Sequence, residues 1–199
     1  MSKRHRLPNR RRFLQFGGAV LPASLIAASQ SNAQQARIPT ASDSEGPFFV
    51  ANAPEVENLN RFGKTGEQMR IVGRVMNAGA PEKPVRRAKL EIWQTDGTGR
   101  YYPQANGNYR DFSDSEIDMR GTVYTDRTGR FDVMSLFPAE YTPRPSHIHY
   151  WVHADGFRSL VTQHYLDTRP RNRPHRTADV DRSQSPAVFP APIIFLEPL

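Results

Sequence analysis

The sequence predicts a single all-β domain, an antiparallel β-sandwich of about seven to eight short strands with an N-terminal arm and long loops. Three observations support this prediction. Short runs of alternating apolar and polar residues are separated by turn signals. The chain contains 17 prolines and 13 glycines, which favour turns over helices. It has no cysteine, so a hydrophobic core rather than a disulfide framework must stabilise the fold.

The positive charge of the chain is concentrated at its N-terminus. The formal net charge is +7, but residues 1–33 contain six basic residues and no acidic residue, which leaves +1 for the remaining chain. A nucleic-acid-binding protein needs a basic surface that neutralises several phosphates. The near-neutral body of the chain therefore predicts no nucleic-acid partner.

Residues 1–33 have the three parts of an export signal. A basic cluster at residues 10–12, an apolar stretch at 16–28 and a small-residue cleavage pattern at 31–33 follow one another. The adjacent arginines Arg10 and Arg11 are typical of a twin-arginine signal. We expect this segment to engage the twin-arginine export machinery, cleavage to follow Ala33, and the mature protein to be periplasmic or secreted.

The apolar stretch of the signal is too short for a membrane anchor. A spanning helix needs about 20 apolar residues, whereas residues 16–28 include Gly17, Gly18 and Pro22. The sequence therefore predicts no stable membrane anchor. Because the twin-arginine pathway exports proteins that have already folded, often around a cofactor, the signal also favours a metal site.

The body of the chain divides into an N-terminal arm over residues 34–69 and a sandwich domain over residues 70–199. The arm reaches a turn beside two large rings at Glu45-Gly46-Pro47-Phe48-Phe49. The apolar pattern predicts strands, in chain order, at residues 68–76, 88–94, 121–126, 130–135, 146–154, 159–165 and 188–196. Long connections remain over 95–120 and 166–187. Such loops are commonly functional, and we expect the first to frame a site.

His147 and His149 are the clearest candidates for chemistry. On a strand they project from one face, about 6.6–7 Å apart at the backbone, so both imidazoles can reach one metal ion. His153 shares their parity but lies about 13 Å beyond His149. The pair alone is also compatible with hydrogen-bonded structural histidines or a zinc site.

In a chain without cysteine the remaining ligands would have to be oxygen atoms or another imidazole, and tyrosines are abundant near the histidine pair. Tyr141 lies six residues before His147, and Tyr101 and Tyr102 follow the predicted strand at 88–94. A tyrosinate is a hard anionic donor, and together with imidazole it favours an oxidised ion such as ferric iron. For any single tyrosine among the seven, packing is the simpler interpretation.

Several separated motifs resemble the intradiol ring-cleavage dioxygenases, and most closely the protocatechuate 3,4-dioxygenase type. They are Leu90-Glu91-Ile92-Trp93-Gln94 through Gly99-Arg100-Tyr101, Arg120-Gly121-Thr122 through Gly129-Arg130-Phe131, and Pro138-Ala139-Glu140-Tyr141 leading to Arg144-Pro145-Ser146-His147-Ile148-His149. The resemblance covers residues 43–166. The chain has no room for the helical N-terminal dimerisation segment of catechol 1,2-dioxygenases, which argues against that subgroup.

The resemblance implies a non-haem Fe(3+) centre inside the β-sandwich. Its implied ligands are Tyr101, Tyr141, His147 and His149. Tyr101 is preferred to Tyr102 because it completes the Gly-Arg-Tyr sequence of the family.

The resemblance also implies catalytic roles for three residues. Tyr141 would leave the metal and accept a proton as the substrate binds, Arg144 would stabilise negative charge on the ring, and Gln163 would lie near the substrate. Only Thr142 and Pro143 separate Tyr141 from Arg144. This link is shorter than in the better-known members and leaves the ligation by Tyr141 open.

The implied function is an exported Fe(3+) intradiol dioxygenase. It inserts O2 between the two hydroxylated carbons of a catechol-type aromatic and gives a muconate-type diacid. The alternative is a catalytically inactive or zinc-bearing β-sandwich binding module. The arginine-rich segment 169–176 could attract a carboxylated substrate or an acidic partner, although charged loops are usually just solvated. A homo-oligomer is compatible with the sequence.

Overall fold

The computed structural model describes residues 36–166 and 176–199. Strands form nearly all of the regular structure there, and 3₁₀ turns occur at Tyr109–Asp111 and Asp114–Glu116. Within this described part, no helix is long and apolar enough to cross a membrane. The all-β prediction is confirmed. The export signal predicted over residues 1–33 lies outside the described residues.

Twelve strands are present in the described part of the chain. They are β1 (Val50–Ala51), β2 (Gln68–Asn77), β3 (Ala80–Pro84), β4 (Lys89–Gln94), β5 (Gly107–Asn108), β6 (Arg120–Tyr124), β7 (Arg130–Leu136), β8 (His147–His153), β9 (Leu160–Leu166), β10 (Thr177–Ala178), β11 (Ala187–Pro190) and β12 (Ile194–Leu196). Six of the seven predicted strands match β2, β4, β6, β7, β8 and β9 to within two residues at each end. The additional strands β1, β5 and β10 have only two residues each, and β3 is a five-residue strand with no buried residue and therefore no alternating burial.

The seventh predicted strand, at residues 188–196, is divided in two. β11 and β12 both pair parallel with β2, but Phe189 lies opposite Ile71 whereas Ile194 lies opposite Val75. Prolines at 190 and 192 fall around the break. Proline has no N–H to donate to a strand ladder, so the chain leaves β2 and rejoins it further along.

The strands form two five-stranded sheets and a separate two-stranded pair. The first sheet has the order β10-β9-β8-β4-β6, and the second is centred on β2, which pairs with β3, β7, β11 and β12. The central pairings, β4 with β6 and β8, β8 with β9, and β2 with β7, are antiparallel. Parallel pairing is found for β10, β11 and β12.

The inner faces of the two sheets form the main hydrophobic core. The first sheet contributes Leu90, Ile92, Ile148, Tyr150 and Val152, and the second contributes Met69, Ile71, Val75, Phe131 and Val133. Burial of each such aliphatic side chain stabilises the fold by about 1.5–3 kcal/mol. Gly73 in β2 is needed for this packing, because a Cβ atom there would lie 2.4 Å from the ring of Phe131.

The outer face of the first sheet is also buried, and it carries the predicted site residues. Antiparallel register places Trp93 opposite His149, His149 opposite Gln163, and His147 opposite Tyr165, so these side chains share one face. The N-terminal segment covers this face, and the amide of Asp43 in that segment donates to the carbonyl of Val161 at 2.9 Å. The cluster therefore lies outside the sandwich and not between its sheets as the resemblance implied, because the apolar inner-face residues fill that space.

Candidate metal centre and active site

Three side chains bring their donor atoms together on the outer face of the first sheet. Nε2 of His147 lies 3.0 Å from Nε2 of His149, and the Tyr101 hydroxyl lies 3.3 and 3.1 Å from these two nitrogens. The three residues are only 2–3% exposed. Metal–ligand bonds of about 2.0–2.1 Å at octahedral or tetrahedral angles separate neighbouring donors by roughly 2.9–3.4 Å. The triangle therefore fits three ligands of one ion.

The hydrogen bonding of His147 leaves the correct nitrogen available to a metal. Its Nδ1 lies 2.6 Å from the carbonyl oxygen of Pro145, and a carbonyl only accepts. Nδ1 therefore carries the proton, and Nε2 presents a lone pair to the cluster. Burial lowers the pKa of His149 well below its ordinary value, and electrostatic interactions with His147, Arg144 and Arg120 lower it further. His149 is thus held in the neutral form that binds metals.

A compact turn after β4 presents Tyr101 to the histidines. Oδ1 of Asp96 accepts hydrogen bonds from the amides of Thr98 and Arg100 at 2.8 and 3.1 Å. The side chain of the neighbouring Tyr102 points towards Asp96, because its hydroxyl donates to Oδ2 of Asp96 at 2.9 Å. Tyr101 and not Tyr102 therefore reaches the histidines. The assignment of Tyr101 as a ligand stays a prediction.

The environment of Tyr101 contains opposing electrostatic influences. Burial raises the pKa of the Tyr101 hydroxyl, and the neighbouring Tyr141 raises it further, whereas the positive charges of Arg144 and Arg120 lower this pKa. A bound cation would add to the arginine effect and favour the phenolate.

The short link between Tyr141 and Arg144 folds as a tight turn. The amide of Tyr141 donates to the carbonyl of Arg144 at 3.1 Å, and the amide of Arg144 donates back to Tyr141. The ring of Tyr141 stands edge-on to Tyr101 with centroids 5.7 Å apart and lies 5.7 Å from the ring of His147. The turn thus keeps Tyr141 at the rim of the cluster, where it is half-buried.

Arg144 and Gln163 form a hydrogen-bonded pair beside the cluster. Nη2 of Arg144 donates to Oε1 of Gln163 at 2.5 Å, and Nε2 of Gln163 donates to the carbonyl of Ser44 at 2.6 Å. The structure therefore brings all six predicted site residues to one face. Their individual catalytic and ligand roles stay predictions.

Sequence reasoning assigned no role to two residues that support the cluster. Trp93 stacks on His149 with ring centroids 4.7 Å apart and planes 9° from parallel. Arg120 is buried, and its guanidinium donates to the carbonyls of Phe48 at 2.6 Å and Pro103 at 3.1 Å. Burial lowers the pKa of Arg120 to about 10. Both residues lie in the sequence motifs quoted above. Trp93 and Arg120 also lie opposite each other in the pairing of β4 with β6, and this pairing links both of them to the site.

The arm also approaches the cluster at Gly46, which has a φ of +77°. A Cβ atom there would lie 3.4 Å from Cε1 of His149. Positive φ is costly for most other residues. Glycine therefore suits both the backbone conformation and the close approach to the imidazole.

A sequence model of a family described as Dioxygenase matches residues 44–172. The fold and the tyrosine–histidine cluster thus belong to a class of dioxygenases built on a β-sandwich. More particularly, the chain belongs to the intradiol ring-cleavage dioxygenase family, and the predicted family is confirmed.

Individual relatives show how far the similarity extends. Catechol 1,2-dioxygenase 2 of Acinetobacter lwoffii is 31% identical over 147 residues, which cover 63% of this chain and 50% of the relative. The protocatechuate 3,4-dioxygenase beta chain of Burkholderia cepacia is 34% identical over 117 residues, or 53% and 47% of the two chains. The chain spans about half the length of the curated relatives it matches.

A solved structure shows the same fold. The intradiol ring-cleavage dioxygenase of Tetranychus urticae superposes with a TM-score of 0.67 at 21% identity, covering 83% of this chain and 96% of that one. At this identity the likeness concerns the architecture alone.

Proposed function

We propose that this protein is an exported non-haem Fe(3+) intradiol dioxygenase that cleaves the ring of a catechol-type aromatic. Both atoms of O2 are inserted between the two hydroxylated carbons, and the bond between these carbons breaks to give a muconate-type diacid. The reaction balances without another oxidant or reductant. The observation that carries the proposal is the triangle of Tyr101, His147 and His149 donor atoms with edges of 3.0–3.3 Å.

The donor chemistry of the cluster fits ferric iron. Imidazole nitrogens and phenolate oxygens are hard or borderline ligands that suit a highly charged, oxidised ion. Protein zinc sites use cysteine, histidine and carboxylate ligands, and no three such side chains gather anywhere in the described residues. The zinc-bearing binding module is therefore disfavoured. When bound, ferric iron would supply the positive charge that favours an ionised catechol and makes its ring reactive towards O2.

Tyr141 is suited to act as the proton acceptor of the site. It is half-buried at the rim, whereas Tyr101 is enclosed. Its side chain can therefore move away from the cluster without opening the core. In this proposal Tyr141 would be one of the residues that hold the iron, and its phenolate oxygen would receive a proton as the catechol ionises, so that Tyr141 acts as the general base.

Arg144 and Gln163 are suited to stabilise the ring as it reacts. The guanidinium supplies a fixed positive charge beside the cluster, and negative charge that develops on the ring is stabilised by such a preorganised group. Gln163 holds this guanidinium through Oε1. In this proposal Arg144 therefore acts mainly after the substrate has bound.

The substrate class and the site of action complete the proposal. The names of the relatives mention catechol and protocatechuate, which supports a ring with two adjacent hydroxyl groups.

The arginine pair at residues 10–11 supports twin-arginine export to the periplasm or beyond. Replacing both arginines by lysine should leave the protein in the cytoplasmic fraction. Unchanged export of that variant would contradict the assigned pathway.

The decisive experiment compares two neighbouring tyrosines in the iron-loaded protein. We expect about one iron per chain, a visible tyrosinate-to-iron band that shifts when catechol is added without oxygen, and O2 uptake with formation of a diacid. Tyr101→Phe should alter the band and abolish uptake, whereas the matched Tyr102→Phe variant should preserve both. A colourless wild-type protein after iron loading would overturn the proposal.

A further inference from the structure

A continuous line of polar contacts leads from Arg144 to the N-terminal arm. Oε1 of Gln163 accepts from Arg144 and lies 3.0 Å from the hydroxyl of Tyr165. That hydroxyl lies 2.8 Å from Oδ2 of Asp43, and Nη1 of Arg176 donates to the same carboxylate oxygen at 2.6 Å. The line joins three segments that are far apart in sequence.

The Gln163 side chain can satisfy its neighbours in only one orientation. Its oxygen faces the Arg144 guanidinium, and its NH2 group donates to the carbonyl of Ser44 at 2.6 Å. A flipped amide would place NH2 against the guanidinium and oxygen against a carbonyl, so that neither pair could hydrogen bond. The amide orientation therefore decides whether Arg144 has its partner.

The hydroxyl of Tyr165 has one proton and two neighbouring acceptors, Gln163 and Asp43. A bare carboxylate is the stronger acceptor of the two and would compete for that proton. The Arg176 guanidinium neutralises this carboxylate at 2.6 Å, in an ion pair whose side chains are only 13% and 12% exposed. Arg176 thereby weakens the competition for the single proton, which the Tyr165 hydroxyl shares between Asp43 at 2.8 Å and Gln163 at 3.0 Å.

We propose that Asp43, Tyr165 and Arg176 are positioning residues that hold Gln163, and through it Arg144, in the orientation needed for ring cleavage. This inference rests on the proposed function. It makes Asp43 of the N-terminal arm and Arg176 part of the active-site support. The ion pair is connected to Arg144 through the side chains of Tyr165 and Gln163.

The test measures turnover, substrate binding and iron spectrum in variants of the iron-loaded protein. Tyr165→Phe removes one hydroxyl group, Arg176→Gln removes the charge, and Arg176→Lys keeps it. We expect kcat to fall about 5–10-fold in the first two, which corresponds to the loss of about 1–1.4 kcal/mol from one hydrogen bond. The dissociation constant of catechol without oxygen and the tyrosinate-to-iron band should stay unchanged, and Arg176→Lys should restore most of the loss.

The matched control is Arg182→Gln, which removes an ion pair with Glu67 on an exposed surface. It should leave kcat unchanged. Equal kcat in Tyr165→Phe, Arg176→Gln and this control would overturn the inference. So would a parallel loss of iron binding, because it would show a general structural role.

A second measurement does not depend on turnover. In the iron-free protein, the side-chain NH2 of Gln163 should exchange with solvent several-fold faster in Tyr165→Phe and Arg176→Gln than in wild type or Arg182→Gln. Unchanged exchange would also overturn the inference. If the wild type were inactive, the proposed function would fail, while this readout would still decide whether the three residues position Gln163.

Discussion

The two faces of the first sheet carry similar residues in very different arrangements. On the outer face, His147, His149 and Tyr101 place three donor atoms within 3.3 Å of one another. On the inner face, His164 and Tyr150 are fully buried with ring centroids 4.7 Å apart. Neither ring nitrogen of His164 nor the hydroxyl of Tyr150 has a hydrogen-bond partner among the described residues. Burial of histidine and tyrosine therefore does not by itself mark a site; convergence of their donor atoms does.

The largest expected effect distinguishes the histidines of the two faces. His149→Gln should lose iron and lower kcat/KM by at least about 10³-fold, as removal of an essential catalytic element does. His164→Leu should keep its iron and its activity, because the imidazole contacts only the core. Metal analysis and O2 uptake on both variants check this. Loss of iron in His164→Leu would break the distinction between the faces.

Removal of the Arg144 charge should have the next largest effect. Arg144→Gln is expected to lower kcat about 10²-fold, the usual consequence of removing one preorganised electrostatic group. The dissociation constant of catechol measured without oxygen should change much less. Arg130→Gln, which removes another partly exposed arginine, serves as the control. A loss of catechol binding with kcat unchanged would show that Arg144 holds the substrate in its ground state rather than stabilising the reacting ring.

The inner-face histidine should make stability depend on pH. Burial lowers the pKa of His164 to about 3, and the charge of Arg176 contributes to the same shift, whereas an unfolded histidine has a pKa of about 6.5. Below the unfolded pKa the unfolded chain binds a proton that the folded chain does not. Stability contributed by the neutral side chain is therefore present above pH 6.5 and is lost as the pH falls towards 3.

The expected slope is about 1.4 kcal/mol per pH unit between these values. Urea unfolding of the iron-free protein and of His164→Leu across this range isolates the contribution of this histidine. Equal slopes in the two proteins would contradict the assignment.

The smallest expected effect concerns the hydroxyl on the inner face. Because the oxygen of Tyr150 is buried without a partner among the described residues, Tyr150→Phe should raise the free energy of unfolding by roughly 1 kcal/mol. Tyr101→Phe, on the outer face, should instead alter the tyrosinate-to-iron band and abolish O2 uptake. A clear destabilisation by Tyr150→Phe would show that its hydroxyl has a partner and would make the two faces more alike.

Much of the fold could be predicted because local patterns carry it. Alternation in β2 places Met69, Ile71 and Val75 on one face, and the structure buries all three. At Pro190 the apolar pattern of the sequence and the observed strand pairing differ. The apolar run continues through Pro190, whereas β11 ends there and β12 begins only at Ile194. Two-residue strands such as β5 exist only through their pairing with distant residues, so no local pattern could reveal them.

The sequence by itself determined the chemical types at the site and their parity. His147 and His149 share a face because side chains alternate along a strand, whereas Tyr101 lies 46 positions before His147 and reaches it only through the tertiary structure. Only the tertiary structure decided that the two histidines lie on the outer face of the first sheet, and which segments cover that face. Asp43 and Arg176 meet although they are 133 positions apart, because two distant segments close over the same outer face. Strand periodicity fixes the direction of a side chain, whereas its neighbours are fixed by long-range packing.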